Sequence, residues 1–159
     1  MTIRISSGLK NYMLGSGSLV DALTAGVIHV YSGDQPATAD HAATGTYLGA
    51  ITTNGEVFTH GSPQGGLIFL PIPTYNLVTK FPDDQWVLTG SSNSGVAGWW
   101  RFKANSPFDN DEASTTLARI DGAIGTHDML LSNPNIVPDG TLVLDSFSLK
   151  FSAIYPEEF

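Results

Sequence analysis

Apolar residues near the start of the chain recur with helical spacing. Leu9, Tyr12 and Met13 stand at i, i+3 and i+4, a pattern that predicts a short amphipathic helix over residues 7–14. Residues 15–17, Gly-Ser-Gly, follow directly and are expected to end this helix, because glycine disfavours helical backbone.

A second helix is predicted from a capping pattern. Ser18 is followed three residues later by Asp21, which matches an N-cap residue with an acidic capping-box partner. The helix is expected over residues 19–23 and should end near Gly26, since glycine readily adopts the left-handed conformation at a helix C-terminus. Residues 1–26 are therefore predicted to form a helical N-terminal segment.

After residue 26 the apolar positions recur with the two-residue period of β-strands. The runs are short, rich in β-branched and aromatic residues, and separated by Gly, Pro, Asn and Ser clusters that favour turns. The predicted strands are 27–31, 46–53, 56–59, 67–70, 76–81, 86–89, 97–103, 117–120, 129–131 and 141–153. The Asn54-Gly55 pair predicts a type I′ hairpin turn between the second and third of them.

Strands of this number and spacing are typical of an all-β fold. We predict a single domain over residues 1–159, an antiparallel, jelly-roll-like β-sandwich with one or two short N-terminal helices. Residues 155–159 are predicted to be a short tail.

The chain carries few charges, and most of them are acidic. Asp and Glu number 15 against 7 Lys and Arg, giving a net charge of −8, and charged residues make up only 14% of the chain. An exterior built mainly from uncharged polar residues is easy to bury against a partner, because few charges must be desolvated. The same balance disfavours nucleic acid and anionic membranes as partners.

Cysteine is absent, which excludes disulfides, thiolate metal sites and a cysteine nucleophile and suits synthesis in a reducing cytoplasm. Residues 1–10 lack the apolar run of a signal peptide, and no stretch approaches the ~20 apolar residues of a membrane span. Export and membrane insertion are therefore not expected.

The titratable residues form no recognisable catalytic or metal motif. The four histidines lack the spacing of a metal site, and His127-Asp128 is accompanied by no serine motif, so we predict neither an enzyme nor a cofactor. Residues 109–112, Asp-Asn-Asp-Glu, are the densest carboxylate run. We interpret them as a solvated acidic loop; a calcium site is the alternative, although the glycine and distal glutamate of an EF-hand loop are missing.

Adjacent tryptophans mark a candidate binding surface. The side chains of Trp99 and Trp100 should point to opposite faces of their strand, so one is expected in the core and the other in an interface, in a second core layer or on a ligand platform with Trp86 and Tyr75. We select both as exposed-aromatic candidates, with two residues of the first helix and one of the tail. The predicted interface residues are Tyr12, Met13, Trp99, Trp100 and Phe159.

Several segments also resemble a known group of proteins. They are residues 5–11, 17–23, 26–28, 31–36, 95–102, 119–122 and 145–149. Together these segments resemble small uncharacterised proteins encoded among the structural genes of tailed phages and prophages. The resemblance covers most of the chain, and none of its motifs is catalytic.

The resemblance implies a virion structural protein, in particular a capsid decoration or cement protein on the outer surface of the capsid, made in the host cytoplasm. The implied partners are the major capsid protein or other virion proteins, and the acidic charge fits the exterior better than the DNA-facing lumen. A homo-oligomer, a trimer or a dimer, is expected. The alternative is a carbohydrate-binding or a tail- or baseplate-associated β-sandwich module.

Overall fold

The computed structural model of the chain describes residues 3–72, 76–125 and 129–150. These residues form two short helices and ten strands. The elements are β1 (Arg4–Ile5), α1 (Ser7–Gly15), α2 (Leu19–Leu23), β2 (Val27–Ser32), β3 (Tyr47–Thr53), β4 (Leu77–Thr79), β5 (Trp86–Gly90), β6 (Gly95–Lys103), β7 (Arg119–Ala123), β8 (Asn135–Ile136), β9 (Thr141–Leu144) and β10 (Ser148–Lys150). No helix in these ranges has the length and apolar character needed to cross a membrane.

The strands form one large and one small antiparallel sheet. The large sheet has the order β1-β7-β6-β2-β3-β5-β9, with β8 paired to the first residues of β6, and the small sheet pairs β10 with β4. The predicted all-β, antiparallel, sandwich-like fold with two short N-terminal helices is confirmed.

Both helices begin at the capping residues that their sequences provide. The hydroxyl of Ser6 accepts a hydrogen bond from the Leu9 amide at the start of α1, and Ser18 and Asp21 form the predicted capping box of α2. The end of α2 differs from the prediction, because the left-handed residue is Ala25 rather than Gly26. Gly26 serves packing instead, since a Cβ there would collide with the backbone of β6.

The Asn54-Gly55 turn forms, but the strand predicted after it does not. Both residues have positive φ, 55° and 71°, as a type I′ turn requires. Residues 56–59 then leave the sheet, and β5 takes the position beside β3, where the Asn54 amide donates to the carbonyl of Gln85 at 2.7 Å. The reason is burial: β5 brings Trp86 and Leu88 into the core, whereas Glu56 and Val57 are exposed.

The predicted strands near the C-terminus are also rearranged. The single strand predicted over 141–153 is two strands in different sheets, and Phe147 between them turns into the core; residues 151–153 lie outside the described part of the chain. Residues 67–70 contribute only isolated bridges, to Gly26 and Lys80, and residues 129–131 form no named strand. Strand β8 lies between the strands predicted over 129–131 and 141–153, where no strand was predicted.

One face of the large sheet carries the apolar core. Aromatic rings lie at its centre: Phe102 stacks on Phe69 at 5.3 Å between ring centroids, and Trp86 and Trp100 each meet Phe147 at 5.3 Å. The helices and the small sheet cover these rings. Their buried contributions are Leu9, Leu19, Leu23, Val78 and Leu149.

The expectation that Trp99 and Trp100 are exposed is wrong, since neither has accessible surface in the chain. Trp100 lies in the apolar core, and Trp99 lies on the opposite face, stacked on Tyr31 and covered by residues 33–46. Trp86 is buried as well, so the three tryptophans form no open platform. Tyr12 and Met13 are half-buried and remain predictions. Phe159 and Tyr75 lie outside the described residues.

Candidate functional site

The second face of the large sheet is built from charged residues rather than apolar ones. The strand register places His29 of β2, Arg101 of β6 and Asp121 of β7 side by side, and it pairs Lys103 with Arg119 in the next row. Four of the chain's seven Lys and Arg residues lie on this face. They are Arg4, Arg101, Lys103 and Arg119.

Two of these arginines form bidentate ion pairs with no accessible surface on the arginine. Arg101 donates from Nε and Nη2 to the two carboxylate oxygens of Asp121, at 2.8 and 2.9 Å. Arg119 donates from Nε and Nη2 to Asp109, at 2.6 and 2.7 Å. Fork-to-fork geometry of this kind fixes both partners.

The same side chains bind two loops that cover the face, the first cover loop (residues 33–46) and the second cover loop (residues 104–118). Arg101 Nη2 donates to the carbonyl of His41 at 2.9 Å, and Arg119 Nη2 donates to that of Glu112 at 2.7 Å. The two loops are also joined directly, because the Ala43 amide donates to the Asp111 carbonyl at 2.8 Å.

The interpretation of residues 109–112 as a solvated acidic loop holds for Asn110 and Glu112, which are exposed, but is wrong for the two aspartates. Asp109 is buried against Arg119, and the side chain of Asp111 is only 14% exposed. Their carboxylate oxygens face cationic side chains, whereas in a calcium site such oxygens face the metal ion. Within residues 3–72, 76–125 and 129–150, no group of three or more His, Cys, Asp or Glu side chains is arranged to hold a metal.

Asp111 is the centre of the polar network. Its Oδ2 accepts hydrogen bonds from His29 Nδ1 at 2.9 Å, Tyr31 Oη at 2.7 Å and Lys103 Nζ at 3.0 Å. Burial by itself would raise the pKa of Asp111, but the hydrogen bond from His29, the Lys103 ammonium and the Tyr31 hydroxyl outweigh it and hold that pKa well below its usual range. Asp111 is therefore ionised at neutral pH.

His29 is neutral at the same pH, because burial lowers its pKa more than Asp111 raises it. An ionised carboxylate only accepts hydrogen bonds, so Nδ1 of His29 must carry the proton and Nε2 presents a lone pair. The ring packs against Tyr47 at 4.9 Å between centroids. His29 can thus accept a hydrogen bond or a proton at Nε2.

The network is incomplete at one point. Asp111 Oδ1 and Arg101 Nη1 are 3.8 Å apart, and both are buried without a hydrogen-bond partner in the part of the chain that the structure describes. The carboxylate is consequently held through one oxygen, on a residue with φ of 64°. Its position depends on the second cover loop rather than on the sheet alone.

A cleft of about 680 Å³ opens beside Asp111, between residues 58–60 and the second cover loop. Its floor contains His29, Lys103 and Asp111, and its walls carry three rings. These are the rings of Phe58, His60 and Phe108. A shallower depression of about 320 Å³ lies on the other side of Asp111, against Tyr31 and Tyr47.

Asn105 joins the two walls of the cleft. Its Nδ2 donates to the carbonyls of Ala25 and Ser62 at 2.7 and 2.6 Å, and its Oδ1 accepts from the Gly61 amide at 2.7 Å. The Asn105 carbonyl also contacts His60 Nδ1. The cleft is therefore formed by the chain's own hydrogen bonds.

Sequence reasoning did not join these residues into one site. His29 was predicted only as part of the strand over residues 27–31, and residues 109–112 were predicted as a separate acidic loop. One signal was present: Arg101 and Lys103 alternate within a strongly apolar strand, and buried cations require acidic partners. His127 and Asp128, considered for a catalytic dyad, lie outside the described residues.

No protein-family model, curated protein or solved structure matches this chain.

Proposed function

We propose that the chain is a structural protein of a tailed-phage virion that binds the outer surface of the capsid and stabilises it. The observation that supports this function is the inward orientation of the positive charge. Arg101, Arg119 and Lys103 are buried in pairs with aspartates, so they neutralise no part of a partner's surface. These three pairs are neutral, so the net charge of −8 belongs to the other residues of the chain, which fits a location away from packaged DNA.

The exterior also presents large apolar side chains, which favours docking to protein. In the described ranges these are Leu14, Val57, Ile68, Ile72, Val96, Phe108, Leu130, Val137 and Val143. Scattered single residues of this kind are ordinary, whereas adjacent ones indicate an interaction surface.

Two of these residues lie together on the ribbon formed by β8 and the start of β6. Val96 pairs with Asn135, while Ile136 turns into the core, so Val137 returns to the outward side occupied by Val96. Both valines are more than half exposed. We propose this ribbon patch (Val96, Asn135, Val137) as the surface that contacts the particle.

Particle association tests the function directly. The tagged chain is produced in a host that carries the phage or prophage encoding it, and particles are separated on a density gradient. We expect the chain to migrate with intact particles, and particles without it to lose DNA at a lower temperature. A chain that stays at the top of the gradient contradicts the proposal.

Charge substitution tests the ribbon patch. Val96→Asp/Val137→Asp should abolish co-migration, because two buried carboxylates without partners are costly in an interface. The matched control is Leu14→Asp/Val57→Asp, which adds the same charge at sites of even greater exposure, and it should remain on the particle. Equal binding by both double variants would contradict this placement.

Self-association is the remaining part of the proposal. Light scattering of the purified chain should give the mass of a dimer or a trimer. A monomer mass at high concentration would contradict a homo-oligomer and leave particle binding to be judged by the gradient.

A further inference from the structure

We infer that the cleft beside Asp111 binds a neutral saccharide. The site lies on the second cover loop and residues 58–60, shares no residue with the ribbon patch, and includes none of the three tryptophans. Its walls, its floor and its charge each favour this class of ligand.

The walls provide an exposed aromatic surface. Phe108 is 66% exposed, the one exposed large apolar side chain of the second cover loop, and its ring meets that of His60 edge to face at 5.4 Å. A phenylalanine so exposed gains little from folding, whereas the apolar C–H face of a sugar ring packs well on an aromatic side chain. Phe58 adds a half-buried ring on the other wall, formed by residues 58–60.

The floor offers both hydrogen-bond donors and acceptors. His29 presents a lone pair at Nε2, and the Lys103 ammonium, which donates to the Asp109 carbonyl at 2.8 Å and to Asp111, retains a third N–H. The Thr59 hydroxyl and the Asn110 side chain also line the cleft. Sugar hydroxyls donate and accept at once, so they match such a mixed floor.

The charge of the cleft favours a ligand without charge. Asp109 is paired with Arg119 and Asp111 with Lys103, so neither carboxylate is available for a cation. The net charge of the chain is −8, which repels anions. The Asn105 hydrogen bonds preform both walls, so little ordering is required on binding.

Titration with defined oligosaccharides tests the site. The probes are the neutral hexasaccharides of chitin, cellulose, starch and mannan, with polygalacturonate as an acidic comparison. Binding is followed through the ring nitrogen and proton NMR signals of His29 and His60. We expect saturable shifts of these signals with at least one neutral probe and none with polygalacturonate.

Phe108→Ala should weaken that binding by about tenfold or more, because it removes the aromatic face while leaving a surface position. Leu14→Ala, an exposed apolar residue outside the cleft, is the matched control and should bind as the wild type does. Thr59→Val removes a hydroxyl that lines the cleft without changing the shape of the side chain, and it should weaken binding to a smaller extent. The inference is overturned if no neutral probe shifts the histidine signals, if only polygalacturonate binds, or if Phe108→Ala binds normally. Particle association is measured separately, so failure of one proposal is distinguishable from failure of the other.

Discussion

The two faces of the large sheet are built from the same strands but are stabilised by different forces. On β7, Ile120 faces the aromatic core and its neighbour Asp121 faces the buried ion pairs, and both are almost fully buried. Apolar contacts are numerous, non-directional and individually weak, so the apolar face should respond to substitution in proportion to the volume removed. A buried charge depends on one or two partners. On the ionic face, removal of a single partner should therefore cause a large loss of unfolding free energy.

The largest expected effect is the loss of one partner of the central ion pair. Asp121→Leu leaves the Arg101 guanidinium buried without its carboxylate and should cost about 3–5 kcal/mol of unfolding free energy. Arg101→Met/Asp121→Leu removes both charges and should recover most of that loss. Urea unfolding at neutral pH measures both. If the double variant is as unstable as the single one, the ion pair stabilises the fold through more than charge neutralisation, for example through the bond to His41.

Asp111 should produce an intermediate effect that depends on pH. Asp111→Asn weakens three hydrogen bonds and should cost about 1–3 kcal/mol at neutral pH. Because the pKa of Asp111 is lowered by folding, its contribution is complete above the unfolded pKa of 3.8 and is lost as the pH falls towards the folded pKa. The difference between wild type and variant should therefore narrow below about pH 4.

Two neighbouring groups, His29 and Asp121, also change the unfolding free energy with pH. Their effects must be distinguished from that of Asp111. The pKa of His29 is lowered by burial, so its contribution is lost as the pH falls below 6.5. Burial raises the pKa of Asp121 despite the Arg101 guanidinium, so protonation of Asp121 acts in the opposite sense. Asp139→Asn, which replaces an exposed acidic residue, is the control. Its unfolding free energy should follow the same dependence on pH as that of the wild type. A wild-type-to-Asp111→Asn difference that stays constant into acid would contradict the lowered pKa of Asp111.

The smallest expected effect comes from the apolar face. Ile120→Val removes one methylene group from the core beside Asp121 and should cost about 0.5–1.5 kcal/mol. The cooperativity of urea unfolding should not change. A loss as large as that of Asp121→Leu would remove the contrast between the two faces.

The parts of the fold that depend on neighbouring residues could be predicted from the sequence, whereas those that depend on distant partners could not. Ser18 and Asp21 form their capping box from residues three positions apart, and the turn at Asn54-Gly55 requires only the backbone preferences of two residues. Both are local, and both were predicted correctly. The strand after that turn was predicted wrongly, because whether β5 or residues 56–59 pairs with β3 is decided by the burial of Trp86.

The candidate site was the least predictable part for the same reason. His29 and Asp111 are 82 positions apart in the chain, and Arg101 meets Asp121 only because β6 and β7 pair in that register. The exposure of Phe108 likewise depends on how the second cover loop lies over the sheet.

The sequence by itself determined the all-β class, the helix starts and most strand positions, because these follow from local periodicity and capping. It also determined the small number of charged residues and their acidic balance, which follow from composition. Only the tertiary structure decided that the tryptophans are buried, that Asp109 and Asp111 are paired with cations, and that Arg101 and Arg119 point inward. The physical reason is that a charge can enter the interior only beside a partner, and the chain fold alone selects that partner.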